Sequence, residues 1–424
     1  MDYKALTKNE LEEMLKAEQK AFKKLQKRGL AVDMTRGKPA KAQLNIAMPM
    51  LENAASYNYD LSDNDARNYG GLGGIKPIRE LFASIFGVKT DEVIVGDGSS
   101  LDIMYMCVQF AMQFGVLGQT PWNKLKKVKF ICPAPGYDRH FSICETFGID
   151  MITVPMLADG PDMDLVEALV SDDESIKGIW CVPKYSNPTG IIFSDRVVER
   201  MATLKPAAKD FRVFWDNAYV VHSLYDTDDK LKNIFDVARK AGTMNMIYSF
   251  ASTSKITFAG SGVAAFASSE ENVQDMLKKM FFKQINPNKV NQVMHVNFLK
   301  DLDNIKKIMA QHAALLRPKF ELFEKKFSEA FDGDDHVKWS KPRGGYFISV
   351  DVRHCAKRIV ELSAEAGIKF TAAGATYPYR NDDNNSNIRI APSVPSLEEM
   401  DHAIDVFISA IKQARMELVL SKMQ

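Results

Sequence analysis

The chain has 424 residues, 46% apolar and 26% charged, which excludes wholesale disorder and leaves room for two or three domains. Lysine and arginine number 55 against 54 acidic residues, and a net charge of +1 gives no electrostatic footprint for nucleic acid or an anionic membrane. Cys107, Cys132, Cys144, Cys181 and Cys355 are an odd set with no C-x-x-C pair, which argues against a disulfide framework or a zinc site and for a reducing, cytoplasmic setting.

The stretch from Met1 to Gly29 is rich in Lys and Glu and lacks the apolar core of a signal peptide. Thr7-x-x-Glu10 reads as a capping box, followed by Leu11, Met14, Leu15, Phe22 and Leu25 at helical spacing, with Gly29 placed to end the helix. Val93 to Val95 predicts a strand and Leu101 to Phe114 an amphipathic helix. The most apolar long stretch, Met104 to Leu117, is broken by Gln109, Gln113 and Gly115 and is too short and polar to span a membrane.

Short β-branched and aromatic runs then recur at Val128–Cys132, Met151–Pro155, Gly178–Val182, Arg212–Trp215, Met246–Phe250 and Val263–Ala267. Helix-length segments such as Leu165–Val170 and Asp195–Leu204 separate most of them. Strands apolar on both faces and alternating with helices predict a mostly parallel sheet covered on two sides. The polar stretch Asn381–Asn387 predicts a surface loop, and Ser396-x-x-Glu399 opens a last helix with Leu397, Met400, Ile404, Phe407 and Ile411 on one stripe. The expected organisation is a large α/β domain over 46–300 and a small domain built from 1–45 and 301–424.

In such sheets, ligands bind beyond the carboxyl ends of the strands. The phosphate-loop signature G-x-x-x-x-G-K-[ST] does not occur, and Gly96-Asp97-Gly98 lacks the third glycine of a dinucleotide fingerprint, Leu101 standing in its place. Gly98-Ser99-Ser100-Leu101 still joins a strand to a helix with a glycine turn, two hydroxyls and exposed N–H groups that suit a phosphate monoester. Serines there also serve as plain helix caps, and the motif alone does not separate the two uses. Three further strand ends carry Pro183-Lys184-Tyr185-Ser186-Asn187-Pro188-Thr189-Gly190, Asp216-Asn217-Ala218-Tyr219 and Ser252-Thr253-Ser254-Lys255. Each has a bland explanation in a turn, a helix cap or a solvated lysine. Their joint occurrence in this order does not.

With these motifs the chain resembles the fold type I, pyridoxal-phosphate-dependent class I/II aminotransferases, from about Thr35 to about Pro395. Ser-Thr-Ser-Lys-Ile-Thr-Phe-Ala-Gly at 252–260 and Tyr-Ser-Asn-Pro-Thr-Gly at 185–190 make it most similar to a divergent subgroup of bacterial aspartate aminotransferases. The resemblance implies a mostly parallel seven-stranded sheet between helices, a small α+β domain formed by both termini, and a homodimer with shared active sites. It implies ping-pong transfer of an amino group, with L-aspartate as donor and 2-oxoglutarate as acceptor.

By the same resemblance Lys255 is the residue joined to pyridoxal 5′-phosphate and the carrier of the substrate α-proton, with Asp216 on the pyridine nitrogen and His140 supporting Asp216. Asn187 and Tyr219 face the phenolate oxygen, and Tyr137 stacks on the ring. Ser99, Ser100 and Ser252 hold the phosphate, and Tyr69, in Asn68-Tyr69-Gly70-Gly71, reaches the phosphate of the partner subunit. Arg389 clamps the substrate α-carboxylate, with Asn187 beside it and the backbone N–H of Gly37 as a further donor. His140 also reads as a solvated loop residue and Gly37 as an ordinary turn glycine.

Two departures stand out. Many relatives carry a phosphate-neutralising arginine shortly after the lysine, where this chain has Gly260-Ser261-Gly262-Val263; Arg36 or Lys38 could replace it. A dicarboxylic substrate also needs a second cation, and Lys283, Lys289, Arg139 and Arg343 are all candidates that no spacing rule separates. Other readings are an aromatic or kynurenine aminotransferase, a β-lyase, or a non-catalytic sensor module like the aminotransferase-like halves of some transcription regulators.

Overall fold

The computed structural model describes residues 3–62, 65–226 and 229–423. In chain order its strands are β1 (Val32–Asp33), β2 (Val93–Asp97), β3 (Lys129–Ala134), β4 (Asp150–Leu157), β5 (Gly160–Pro161), β6 (Ile176–Cys181), β7 (Arg212–Asp216), β8 (Ile247–Ser252), β9 (Val263–Ala267), β10 (Val337–Trp339), β11 (Ile348–Val352), β12 (Ile368–Lys369) and β13 (Asn387–Ile390).

Eight of them form the large sheet in the order β2-β9-β8-β7-β6-β3-β4-β5. The run from β4 to β8 is parallel, and β9 is antiparallel to both of its neighbours. The seven expected strands are thus present, with the two-residue β5 added antiparallel at the edge beside β4. Side-chain alternation explains why the inner strands read as continuous apolar runs. Val213 and Trp215 of β7 enter one core with Ile131, Ile179 and Val95. Phe214 enters the opposite core with Phe130, Trp180 and Phe266. Helices cover both faces, and one of them, Asp138–Phe147, ends on Gly148 at φ +65°, a left-handed position that favours glycine.

A third core unites the two ends of the chain: Phe22, Val32 and Met34 pack with Phe323, Phe327, Val350, Ile388, Ile404 and Phe407. There β10, β11 and β13 form an antiparallel sheet, and β1 pairs in parallel with β12. Lys300, at φ 59°, lies between helices Lys289–Leu299 and Leu302–Phe331. The second of these serves two cores, since Ile305, Ile308 and Met309 pack under the large sheet while Phe320, Phe323 and Phe327 pack in the terminal one.

Both capping boxes form. Glu10 N donates to Thr7 Oγ1 at 3.4 Å and Thr7 N to Glu10 Oε2 at 2.8 Å. Glu399 N donates to Ser396 Oγ at 3.2 Å and Ser396 N to Glu399 Oε2 at 2.7 Å. Two local expectations are corrected. The first helix ends at Gln26 with Lys27 as its cap, and Gly29, at φ +66°, makes the turn beyond it. Leu397 does not join the buried stripe of the last helix and is 48% exposed, because it sits in the first turn before the helix reaches the core. Among the described residues, no helix is long and apolar enough to cross a membrane.

Candidate active site

The carboxyl ends of the strands open onto a cavity of about 610 Å³ whose wall includes Ser99, Tyr137, Asn187, Asp216, Tyr219, Ser252, Lys255 and Arg389. The residues from Ser99 to Lys255 converge there because the strands of the large sheet place their carboxyl ends on one rim, whereas Arg389 enters from the three-stranded sheet.

Asp216 is the last residue of β7, and its Oδ2 lies 3.0 Å from His140 Nε2. An ionised carboxylate only accepts, so Nε2–H is the donor. His140 projects from helix Asp138–Phe147, buried rather than solvated, with its ring stacked on Trp180 at 4.5 Å and 12°. Ser100 Oγ is directed to Asp216 Oδ1 at 3.5 Å, so its hydroxyl faces the aspartate instead of the loop that carries Ser99. Ser99 stands at the N-cap position with extended backbone but makes no capping bond with its side chain. Simple helix capping therefore does not account for its hydroxyl.

Lys255 lies on the tight turn after β8, where the N–H groups of Ile256 and Thr257 both return to the carbonyl of Thr253. Burial pushes the Lys255 ammonium below the ordinary lysine range, and the charge of Asp216 works in the opposite direction. Its Nζ sits 5.2 Å above the centre of the Tyr219 ring. Burial holds the Tyr219 phenol well above its usual value, with Tyr137 and Asp216 adding to the effect, so the group stays protonated and can donate. Tyr137 is pushed up to about 12, by burial first and then by Asp216 and Asp138. Its ring meets His140 edge-on at 4.9 Å.

Arg389, in β13, brings the terminal domain into the cavity wall at 5% exposure. Its Nη1 donates to Asp138 Oδ1 at 2.6 Å and to Asn187 Oδ1 at 3.4 Å, and its Nη2 to Thr371 Oγ1 at 3.2 Å. The guanidinium lies 5.0 Å from the centre of the Phe347 ring. Gly37 lines the same cavity, and its glycine is required by close approach: a Cβ there would stand 2.7 Å from Phe347 Cζ and 3.1 Å from Tyr346 Cβ.

Part of the segment without the arginine is tightly packed. A Cβ on Gly262 would lie 2.8 Å from Ser254 Oγ and 3.0 Å from the Gly98 carbonyl, and Val263 is buried in β9. Ser252 Oγ and Ser254 Oγ are 3.1 Å apart, and Arg36 and Lys38 line the cavity.

Other candidates lie elsewhere. Tyr69 is 76% exposed and outside the cavity wall. Lys289 is buried, its Nζ donating to the carbonyls of Asp65 and Tyr69 at 3.3 Å each. Arg343 pairs with Asp229 at 3.1 Å, and Lys283 donates to Gln284 Oε1 at 2.8 Å. Of the four cations considered for a second carboxylate, Arg139 lines the cavity. Sequence reasoning did not single out Ser254, which falls inside the motif ending at Lys255, or Asp138, which lies between Tyr137 and His140. Thr371 and Phe347 carry no local signal at all.

Residues 6–423 match the family model described as aspartate amino-transferase. The aspartate aminotransferase of Corynebacterium glutamicum is 44% identical over 403 residues, covering 93% of this chain and 92% of that protein. A crystal structure of an aspartate transaminase from Corynebacterium glutamicum matches with a TM-score of 0.94 at 41% identity, over 99% of this chain and 98% of that one. An α-aminoadipate aminotransferase from Thermus thermophilus, solved with N-(5′-phosphopyridoxyl)-L-leucine, shares the fold at 18% identity and a TM-score of 0.74, over 91% of this chain and 93% of that one.

Proposed function

The chain belongs to the aspartate aminotransferase family, and from that premise we propose that it moves the amino group of L-aspartate to 2-oxoglutarate with pyridoxal 5′-phosphate held in the cavity. The observation that carries this reading is the convergence of Lys255, the Asp216–His140 pair and Arg389 on one space. The residues fit the cofactor: a desolvated lysine amine, a buried carboxylate held by an imidazole, and a serine hydroxyl at a helix start that no cap uses. When bound, pyridoxal phosphate supplies the electron sink that lets the substrate α-proton leave.

The protein's own groups then divide the work. Asp216, oriented by His140, would take the pyridine nitrogen and hold its proton. Tyr219 and Asn187 would donate to the cofactor's phenolate oxygen, and Tyr137 would hold its ring. Ser99, Ser252 and backbone N–H groups at the start of helix Ser100–Phe114 hold the phosphate, while Arg36 and Lys38 supply positive charge from the cavity wall. Lys255 would move the proton from the substrate α-carbon; its lowered affinity for protons suits it to act as a base. Arg389 takes the α-carboxylate with a planar fork, and the Gly37 N–H adds a donor. Arg139 takes the distal carboxylate.

Tyr69, exposed on its own subunit, suits a homodimer in which it completes the partner's phosphate site. Five buried cysteines, none in a disulfide, suit a cytoplasmic setting. We assign 46–300 to cofactor binding and 1–45 with 301–424 to the small domain, so that Lys255 and Arg389 line one cavity from different domains.

The test is to add L-aspartate alone to the cofactor-loaded protein. The visible absorption should change and a 2-oxo acid should be released, with neither seen for Lys255→Ala. An absorption band indifferent to aspartate would refute the donor, and no band after reconstitution would refute the enzyme reading.

A further inference from the structure

Arg389, the proposed carboxylate clamp, already holds a carboxylate. Its shortest bond runs from Nη1 to Asp138 Oδ1 at 2.6 Å. The remaining bonds are longer: 3.2 Å to Thr371 Oγ1, 3.4 Å to Asn187 Oδ1 and 3.5 Å to the Thr35 carbonyl. Nε, also buried, has no partner among the described residues. A guanidinium at 5% exposure needs an anion, because an unpaired buried charge is strongly destabilising.

The two partners are not equally committed to the pair. Arg389 lies within β13, opposite Ser349 of β11, and its side chain is only 5% exposed. Asp138 is the first residue of helix Asp138–Phe147, its side chain is 32% exposed, and it opens onto the same cavity. It binds Arg389 through one nitrogen, whereas a free carboxylate can engage a guanidinium fork through two.

We propose that Asp138 is an internal competitor for the carboxylate subsite and thereby a specificity-determining residue: a substrate must displace it from Arg389 Nη1 to bind. Asp138 neutralises the buried cation between turnovers. It also sets an affinity threshold that a carboxylate clears and its amide or ester, carrying no charge, does not. This rests on the reading of Arg389 as the clamp.

The experiment titrates maleate, a dicarboxylate without an amine, into cofactor-loaded wild type, Asp138→Asn, Asp138→Ser and Arg389→Gln by calorimetry. Asparagine keeps the side-chain shape and removes the competing charge. Maleate should bind Asp138→Asn roughly tenfold more tightly, the factor expected if Asp138 occupies Arg389 about nine-tenths of the time. Asp138→Ser should shift in the same direction, and the KM for L-aspartate should fall in both. Without maleate Asp138→Asn should melt below wild type, and saturating maleate should narrow that gap by supplying the missing charge. Unchanged or weaker maleate binding in both variants would overturn the proposal and make Asp138 a fixed support of Arg389. Arg389→Gln should lose maleate binding; if it binds like wild type, the clamp reading itself falls, whatever the Asp138 variants show.

Discussion

His140 Nε2 and Asp216 Oδ2 are 3.0 Å apart, with side chains only 2% and 3% exposed, so the aspartate at the end of β7 is oriented from a different element and shielded from water. Removing the imidazole leaves a buried acceptor without its partner, at a cost of about 1–3 kcal/mol. His140→Ala should therefore lower kcat/KM for L-aspartate roughly tenfold to a hundredfold. Steady-state kinetics beside a thermal melt check this; a variant that loses stability but keeps full activity would make His140 a packing residue.

Lys255 has its proton affinity lowered by burial and raised by Asp216. Its amine should react with an acylating reagent at lower pH than surface lysines in the cofactor-free protein, and Asp216→Asn should move the midpoint lower still. Mass spectrometry of the modified Lys255 peptide across pH reads this directly. The stability sign follows. Between the depressed folded value and the ordinary lysine value the unfolded chain binds more protons, so this group's contribution makes stability rise with pH across that window.

Gly262 has no room for a side chain against Ser254 and Gly98. Gly262→Ala should force that contact apart at a cost of about 1–3 kcal/mol. The expected result is a lower melting temperature and faster loss of cofactor in dialysis, with Gly260→Ala as a control because nothing lies within 4 Å of its added carbon.

If Tyr69 completes the partner's site, two defective chains can restore one good site. Tyr69→Ala and Lys255→Ala, each impaired alone, should recover activity when co-expressed, because the hybrid dimer joins an intact Lys255 with an intact Tyr69. Activity no greater than the sum of the separate variants would refute the shared site.

Arg139 lines the cavity beside Asp138. Arg139→Gln should slow aspartate roughly tenfold to a hundredfold relative to alanine, the range for losing a hydrogen bond to a charged group. Paired kcat/KM measurements decide it, and equal losses for both amino acids would send the search to the partner subunit.

Local physics made much of this protein legible in one dimension. Caps and strand runs depend on residues a few positions apart, so Thr7 with Glu10, Ser396 with Glu399, and Val263–Ala267 could be read directly from the order of residues. The motifs at Asn187, Asp216 and Lys255 could be read as one set because each stands at or beyond the carboxyl end of a strand, and parallel strands deliver those ends to a common rim. Pairings between distant positions could not be read this way. Asp138 and Arg389 are 251 positions apart, and no periodicity or cap links them. The turn of Ser100 toward Asp216, the burial of Lys289, the crowding at Gly262 and the exposure of Leu397 likewise depend on which surfaces meet after the chain folds. Residue order determined the elements and the chemistry they carry; tertiary packing decided which charges are paired, because pairing is a matter of distance across the cavity and not along the chain.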